Sequence, residues 1–207
     1  MLNLAALAES SVTSEPFPHL TASGLVNPWA LKQVSRDFPD ITQPGVFPLS
    51  ELRYGPAFER LVEDIQGAEV EAMLERKFGL TLSDKSLMVT VRGWCQARDG
   101  RIHTDSKDKV LTCLLYLNPG EWEPEGGRLR LLRGGRDLED MIAEVPPAGG
   151  SLVAFVRTDK SWHGHAPFEG PRRYVMFNWM RSDAVRALNL GRHKLSAAVK
   201  AMGRFHG

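Results

Sequence analysis

The first eighty residues place apolar side chains at helical spacing between turn signals. Asn27-Pro28 is a typical helix start, because Asn caps the first turn and Pro suits the first helical position, and this helix is predicted to reach about Asp37. Two more helices are predicted after Gly55-Pro56 and from about Ala68, and each ends at a glycine. Residues 1–15 lack sustained periodicity and are predicted to be loosely held. This part of the chain predicts a mostly helical scaffold.

After residue 80 the pattern changes to short β-forming runs bounded by Gly and Pro turns. The runs predict strands at residues 86–97, 109–118, 128–132, 151–156 and 173–180. Because the helices come first and the strands follow, a sheet built of alternating β-α-β units is disfavoured. The pattern predicts an α+β fold, with a double-stranded β-helix (jelly roll) core, an N-terminal helical layer and a C-terminal helix.

We expect the 207 residues to form one domain, residues 1–207, in three parts. These are a mostly helical lead-in at 1–80, the jelly-roll core at 81–181 and a C-terminal helical segment at 182–207. The last segment begins at a capping pair, Ser182-Asp183, and then places three apolar residues on one helical face: Leu195, Val199 and Met202.

Charge and composition exclude several classes of protein. The net charge is only +1, so neither a nucleic acid nor a membrane surface is expected as a partner. The sequence has no run of eighteen apolar residues and no basic leader, so neither a membrane span nor a signal peptide is expected. Cys95 and Cys113 form no CxxC pattern, which favours a reduced, cytoplasmic setting. The oligomeric state stays open.

Candidate metal ligands stand at two places in the strand-rich part. His103 and Asp105 are separated by one residue, which puts both side chains on the same face of an extended segment. A further imidazole could come from His163 or His165 in the segment SWHGH. Two His and one carboxylate form the facial triad of non-haem Fe(II) oxygenases, which leaves coordination positions open. The pair Arg172-Arg173 follows, and a guanidinium can bind a carboxylate in a bidentate way.

Several motifs occur here in one order: RIHTD, LTCLLYLN, WEPEGGRLRLL, PPAGGSLVAFV, and SWHGH followed by RRYVMFNWM. In these motifs, residues from about 86 to 181 resemble the Fe(II)/2-oxoglutarate-dependent dioxygenases, in particular the prolyl-hydroxylase-like branch. The resemblance implies a jelly-roll enzyme that uses Fe(II), 2-oxoglutarate as cosubstrate and O2, with ascorbate as an optional reductant. The N-terminal eighty residues resemble only the general helical lead-in of that family.

The resemblance also implies roles for individual residues. His103, Asp105 and His163 correspond to the iron ligands, and His163 is preferred to His165 because it follows Trp in the family's setting. Arg173 corresponds to the residue that binds the distal carboxylate of 2-oxoglutarate, with Arg172 as the competitor.

Two further expectations concern the neighbours of Arg173. Arg173 is preferred because Val175, Phe177 and Trp179 share its face of the strand, with Trp179 where the family often places an aromatic residue beside the cosubstrate. Tyr116 corresponds to a tyrosine whose hydroxyl meets the same carboxylate, and the alternative for Tyr116 is a core aromatic.

The implied reaction is hydroxylation of an unactivated C–H bond of a small molecule or an amino-acid residue, with release of succinate and CO2. Asp105 favours hydroxylation over halogenation, because halogenases of this superfamily lack the carboxylate ligand. Two alternatives stay open: a cupin-like jelly-roll metalloprotein without 2-oxoglutarate chemistry, and a hydroxylase of a peptide or protein residue such as proline. Arg92, Trp94 and Gln96 alternate on the strand before the metal pair, either as a substrate-facing set or as an exposed strand face.

Overall fold

A computed structural model of the protein describes residues 1–184, 186–191 and 194. The helices before residue 80 are α1 (Leu4–Glu9), α2 (Pro28–Asp37), α3 (Pro56–Gln66) and α4 (Ala68–Phe78), with a 3-10 turn at Leu49–Glu51. The strands, in chain order, are β1 (His19–Ala22), β2 (Phe47–Pro48), β3 (Ser86–Cys95), β4 (Lys109–Tyr116), β5 (Leu129–Leu132), β6 (Met141–Val145), β7 (Leu152–Val156), β8 (His163–Gly164) and β9 (Gly170–Met180).

The strands form two antiparallel sheets. The larger sheet has the order β1-β7-β4-β9-β3-β2, and the smaller has the order β6-β5-β8. The predicted α+β fold with a jelly-roll core is confirmed. The N-terminal helices cover one face of the larger sheet, and the smaller sheet packs against its other face, so β4 and β9 lie at the centre with both faces covered.

Alternation along the central strands divides their side chains between two layers. On β4 and β9 the odd-numbered residues, such as Cys113 and Phe177, pack with Phe58 and Leu61 of α3 in the helix-side core. The even-numbered residues, such as Tyr116 and Tyr174, face the smaller sheet. Because the period of a strand is two, a shift of one residue moves a side chain from one layer to the other. This alternation decides which residues of β9 can reach a site between the sheets.

The helix starts predicted from sequence are confirmed in detail. The side chain of Asn27 accepts a hydrogen bond from the backbone N–H of Ala30, at 2.9 Å, and Pro28 is the first residue of α2. Helix α4 ends at Gly79, whose φ of 64° is left-handed and therefore suits glycine.

The prediction that residues 1–15 are loosely held is wrong. Asn3 caps α1, Leu7 is buried in the helix-side core, and the amino group of Met1 pairs with Asp64 of α3. A helix of six residues is too short to show periodicity in sequence, and tertiary contacts of this kind are what stabilise it. The sequence also does not predict strand β6, because the strand is only five residues long and its first residue is exposed.

The C-terminal helical segment can be followed only in part. Residues 183–184 and 186–191 are helical, whereas the predicted face of Leu195, Val199 and Met202 lies outside the described residues. The single domain of residues 1–207 stays a prediction. No helix in the described part of the chain is long and apolar enough to cross a membrane.

Candidate active site

The structure brings together the three residues that the sequence singled out as metal ligands. One ligand atom from each of His103, Asp105 and His163 lies within 4.8 Å of the other two. His103 and His163 are sixty residues apart in sequence, but their backbones form an antiparallel bridge with two N–H···O hydrogen bonds of 3.0 Å. The bridge places the two imidazole rings side by side, with centroids 4.3 Å apart.

Each imidazole is oriented by a hydrogen bond to the backbone. Nδ1 of His103 lies 2.8 Å from the carbonyl oxygen of Arg101, and Nδ1 of His163 lies 3.0 Å from that of Ser161. Since a carbonyl oxygen only accepts, Nδ1 carries the proton in both rings and Nε2 keeps a free lone pair. Such backbone contacts fix the tautomer and the direction of a metal-binding imidazole.

The protonation states of Asp105 and His163 also suit a metal. Burial by itself would raise the pKa of Asp105, but Lys109, His163 and the Thr112 hydroxyl lower it to about 2, so the carboxylate is anionic. Burial lowers the pKa of His163 to about 4, because it penalises the imidazolium, so this ring is neutral. Metal ligands must be deprotonated in this way. An anionic carboxylate with two imidazoles fits Fe(II), and it leaves positions open.

Two neighbours of Asp105 were not predicted from sequence. Lys109 donates to Oδ1 of Asp105 at 2.9 Å, and the hydroxyl of Thr112 donates to Oδ2 at 2.6 Å. Both residues lie on β4, directly after the metal pair, and the even-numbered Thr112 faces the space between the sheets. The sequence does offer one signal for such a contact, because Lys109 stands four residues after the candidate ligand Asp105. The two contacts hold the carboxylate in one orientation.

The three candidate ligands line a cavity of about 230 Å³ between the two sheets. Leu114, Leu129 and Met176 form apolar parts of its wall. Among the described residues that line it, three side chains are cationic and two are carboxylates: Arg92, Lys109 and Arg172, with Asp99 and Asp105. The cavity therefore combines the candidate metal ligands with a lining that has one more cationic side chain than carboxylates.

Arg172 is the most deeply placed of these cations, with 2% of its surface exposed. Its Nε donates to the carbonyl oxygen of Gly127 at 2.8 Å, and one terminal nitrogen donates to the hydroxyl of Tyr116 at 3.0 Å. The guanidinium also lies over the rings of Tyr116 and Tyr174, at 5.2 and 5.4 Å from their centroids. In the described part of the chain no carboxylate is within ion-pair distance of Arg172. A guanidinium held only by neutral groups keeps the capacity to bind an anion such as a carboxylate.

The placement predicted for Arg173 is wrong, and its competitor Arg172 occupies the cavity. Arg173 lies over the ring of Phe38, 5.2 Å from the centroid, on the helix side of the sheet. It does share a face with Val175, Phe177 and Trp179, but that face packs against the helices. The sequence argument identified a common face correctly and assigned it to the wrong layer.

The placement predicted for Trp179, beside the cosubstrate, is wrong for the same reason. Its indole N–H donates to Glu71 of α4 at 3.2 Å, and the side chain is fully buried in the helix-side core. Trp179 therefore anchors a helix to the sheet, and it does not line the cavity.

The hydroxyl of Tyr116 contacts the guanidinium of Arg172. The tyrosine ring is fully buried, and burial raises the pKa of its hydroxyl to about 12, so the hydroxyl keeps its proton. Because this oxygen accepts the hydrogen bond from Arg172, the proton is available to a second acceptor. Tyr116 is a core aromatic whose hydroxyl contacts Arg172, and the predicted contact of this hydroxyl with a cosubstrate carboxylate stays a prediction.

The remaining candidates are separated by the structure. Arg92 lines the cavity and pairs with Asp99 at 2.6 Å, whereas Trp94 and Gln96 do not line it, because β3 has a register shift between Arg92 and Trp94. His165 lines the cavity but is outside the group of three ligands, and its Nε2 lies 3.9 Å from Sγ of Cys95.

A jelly roll whose cavity holds a His, Asp and His triad is an architecture that non-haem iron oxygenases use. The sequence comparison agrees, because residues 95–181 match the family model of the 2OG-Fe(II) oxygenase superfamily. This core of the chain is therefore similar to that superfamily, whose members use Fe(II), 2-oxoglutarate and O2. None of the curated proteins matches the sequence.

Two solved structures share the fold. A prolyl-4-hydroxylase from Pseudomonas putida is 17% identical with a TM-score of 0.56, and the match covers 86% of this chain and 98% of that one. Prolyl 4-hydroxylases from Phytophthora capsici are 18% identical with a TM-score of 0.52, and the match covers 81% of this chain and 60% of that one. These neighbours agree with the prolyl-hydroxylase-like resemblance at the level of the fold.

Proposed function

We propose that the protein is an Fe(II)- and 2-oxoglutarate-dependent dioxygenase that hydroxylates an unactivated C–H bond of a small molecule or an amino-acid residue. One oxygen atom of O2 enters succinate, formed with CO2 from 2-oxoglutarate, and the other enters the hydroxylated product. The observation that carries this proposal is that the triad and the buried, unneutralised guanidinium of Arg172 line one cavity.

His103, Asp105 and His163 are the residues that would hold Fe(II). The bound metal supplies the activation of O2 and the oxidation of the cosubstrate. Thr112 and Lys109 keep the Asp105 carboxylate in place, and the carbonyls of Arg101 and Ser161 keep the two imidazoles in place. These contacts would hold the three ligands in position for the metal.

Arg172 is the residue that would bind the distal carboxylate of 2-oxoglutarate. A guanidinium presents donors in a fixed fork that matches a carboxylate, and Tyr116 adds a protonated hydroxyl beside it. The carboxylate would supply the negative charge that this buried cation lacks among its described neighbours. Apolar side chains such as Leu114 and Leu129 limit the water around the reacting groups.

The test is anaerobic addition of Fe(II) and then 2-oxoglutarate to the metal-free protein. We expect the weak visible charge-transfer band of the iron chelate in the wild type and its loss in His163→Ala. His165→Ala is the matched control, since this second histidine lies two residues away and outside the ligand group, and it should keep the band. A folded, iron-binding protein without the band would refute the use of 2-oxoglutarate and would favour the cupin-like metalloprotein.

A peptide or protein residue such as proline remains the second candidate substrate, since the two solved structures described above are prolyl hydroxylases. Release of succinate with proline-containing peptides, measured against small carboxylic acids, separates the two substrate classes.

A further inference from the structure

The charged groups of the cavity do not balance. Its three cations, Arg92, Lys109 and Arg172, face two carboxylates, Asp99 and Asp105, among the described lining residues. The lining histidines are counted as neutral, because metal ligands bind as neutral imidazoles and burial keeps the pKa of His165 at about 4. The lining therefore carries one positive charge in excess.

The proposed cofactors do not remove this excess. Fe(II) brings two positive charges and 2-oxoglutarate brings two negative charges, so together they are neutral. One positive charge therefore remains after both have bound, inside a partly closed cavity where charges are weakly screened. A third component of the site, the primary substrate, is the group that can compensate it.

Of the three cations, Lys109 is the one whose positive charge is not compensated by a partner of its own. Arg92 keeps its own partner Asp99 at 2.6 Å, and Arg172 is matched by the cosubstrate. The only carboxylate within ion-pair distance of Lys109 in the described chain is Asp105, at 2.9 Å, which Lys109 must share with the metal. An ammonium has three donors, and besides Asp105 the described contacts of Lys109 include only the weak acceptor Sδ of Met176, at 3.9 Å. Spare donors therefore lie beside the metal site.

We propose that the primary substrate is a small organic acid with a single negative charge, and that Lys109 binds its carboxylate beside the triad of His103, Asp105 and His163. The cavity of about 230 Å³ would also have to hold Fe(II) and 2-oxoglutarate, so the room that is left within it suits only a small acid. This inference rests on the proposed function and narrows its substrate to a chemical class.

The test compares matched pairs of ligands on the anaerobic protein loaded with Fe(II) and 2-oxoglutarate. N-acetylated amino acids are monoanions, and their N-methylamides are neutral and imitate an internal residue of a peptide. Binding is followed by isothermal titration and by the change in the visible band. We expect the tightest-binding acid to bind at least about tenfold more tightly than its amide, the difference typical of one charge-assisted hydrogen bond. The preference should weaken in high salt.

Variants assign the preference to one residue. Lys109→Met should remove the preference for the acid, Lys109→Arg should keep most of it, and Lys107→Met, an exposed lysine two residues away, should leave it unchanged. The proposal is overturned if the amides bind as well as the acids, if no acid of the panel binds, or if Lys109→Met keeps the preference. If the Lys109→Met protein does not fold, the comparison of acid with amide in the wild type still tests the proposal. Loss of the iron band in the wild type would refute the proposed function instead.

Discussion

Arg172 and Arg173 are adjacent on β9, yet only Arg172 is expected to control the affinity for 2-oxoglutarate. Arg172→Gln removes a guanidinium whose charge is unmatched in the free protein. A hydrogen bond to a charged group contributes about 1.5–3 kcal/mol. Since 1.4 kcal/mol corresponds to a factor of ten, the dissociation constant of 2-oxoglutarate should rise by about ten- to a hundredfold.

Arg173→Gln is the matched control, because it makes the same chemical change one residue away on the opposite face. The backbone N–H of Arg173 donates to Asn118 at 2.8 Å and does not depend on the side chain. The substitution removes the contact with Phe38, which costs about 0.5–1 kcal/mol of stability. The affinity for 2-oxoglutarate should stay within about twofold of the wild type.

The assay is anaerobic titration of each Fe(II)-loaded variant with 2-oxoglutarate, followed by the charge-transfer band, with thermal unfolding as the control for folding. A weakened Arg173→Gln beside an unaffected Arg172→Gln would refute the assignment. It would also show that β9 presents its other face to the cavity.

Other predictions follow from neighbouring contacts. Asp105→Ala should abolish succinate formation, and substantial succinate from this variant would argue against the triad. The pKa of Asp105 is lowered from 3.8 to about 2, so its carboxylate should stabilise the metal-free fold by about 2 kcal/mol above pH 4. This contribution should be lost as the pH falls through 2. In Asp105→Asn, the free energy of unfolding should depend less on pH in this range. Trp179→Phe should lower the free energy of unfolding by about 1–3 kcal/mol, through loss of the bond to Glu71 and the space left by the smaller ring in the core, without changing the affinity for 2-oxoglutarate. Fe(II) at a hundredfold excess over its dissociation constant should stabilise the protein by about 2.7 kcal/mol, and a chelator should reverse the shift in melting temperature.

Local signals in the sequence predicted much of the fold. The Asn27-Pro28 start and the left-handed Gly79 depend on a few neighbouring residues, so they could be identified without tertiary information. Helix α1 could not, because its stability comes from contacts with residues more than sixty positions away, such as Asp64. The spacing of His103 and Asp105 predicted two ligands, and the structure adds the bridge that brings His163 to them.

The choice between Arg172 and Arg173 shows where sequence reasoning fails. Both faces of β9 are buried, so both carry large apolar or aromatic side chains, and composition does not distinguish them. Which face meets the cavity depends on the pairing of β9 with β4 and β3, including the shift near Arg92. That pairing is a property of the assembled sheet.

The backbone bridge between His103 and His163 has a consequence for how the protein acquires its metal. Because hydrogen bonds between peptide groups hold the two rings together, the ligand geometry does not have to be created by the ion. Small zinc domains, by contrast, are unfolded until metal binds. We therefore expect the chain to fold first and take up Fe(II) afterwards, so that a protein stripped of iron by a chelator stays folded and can be loaded again.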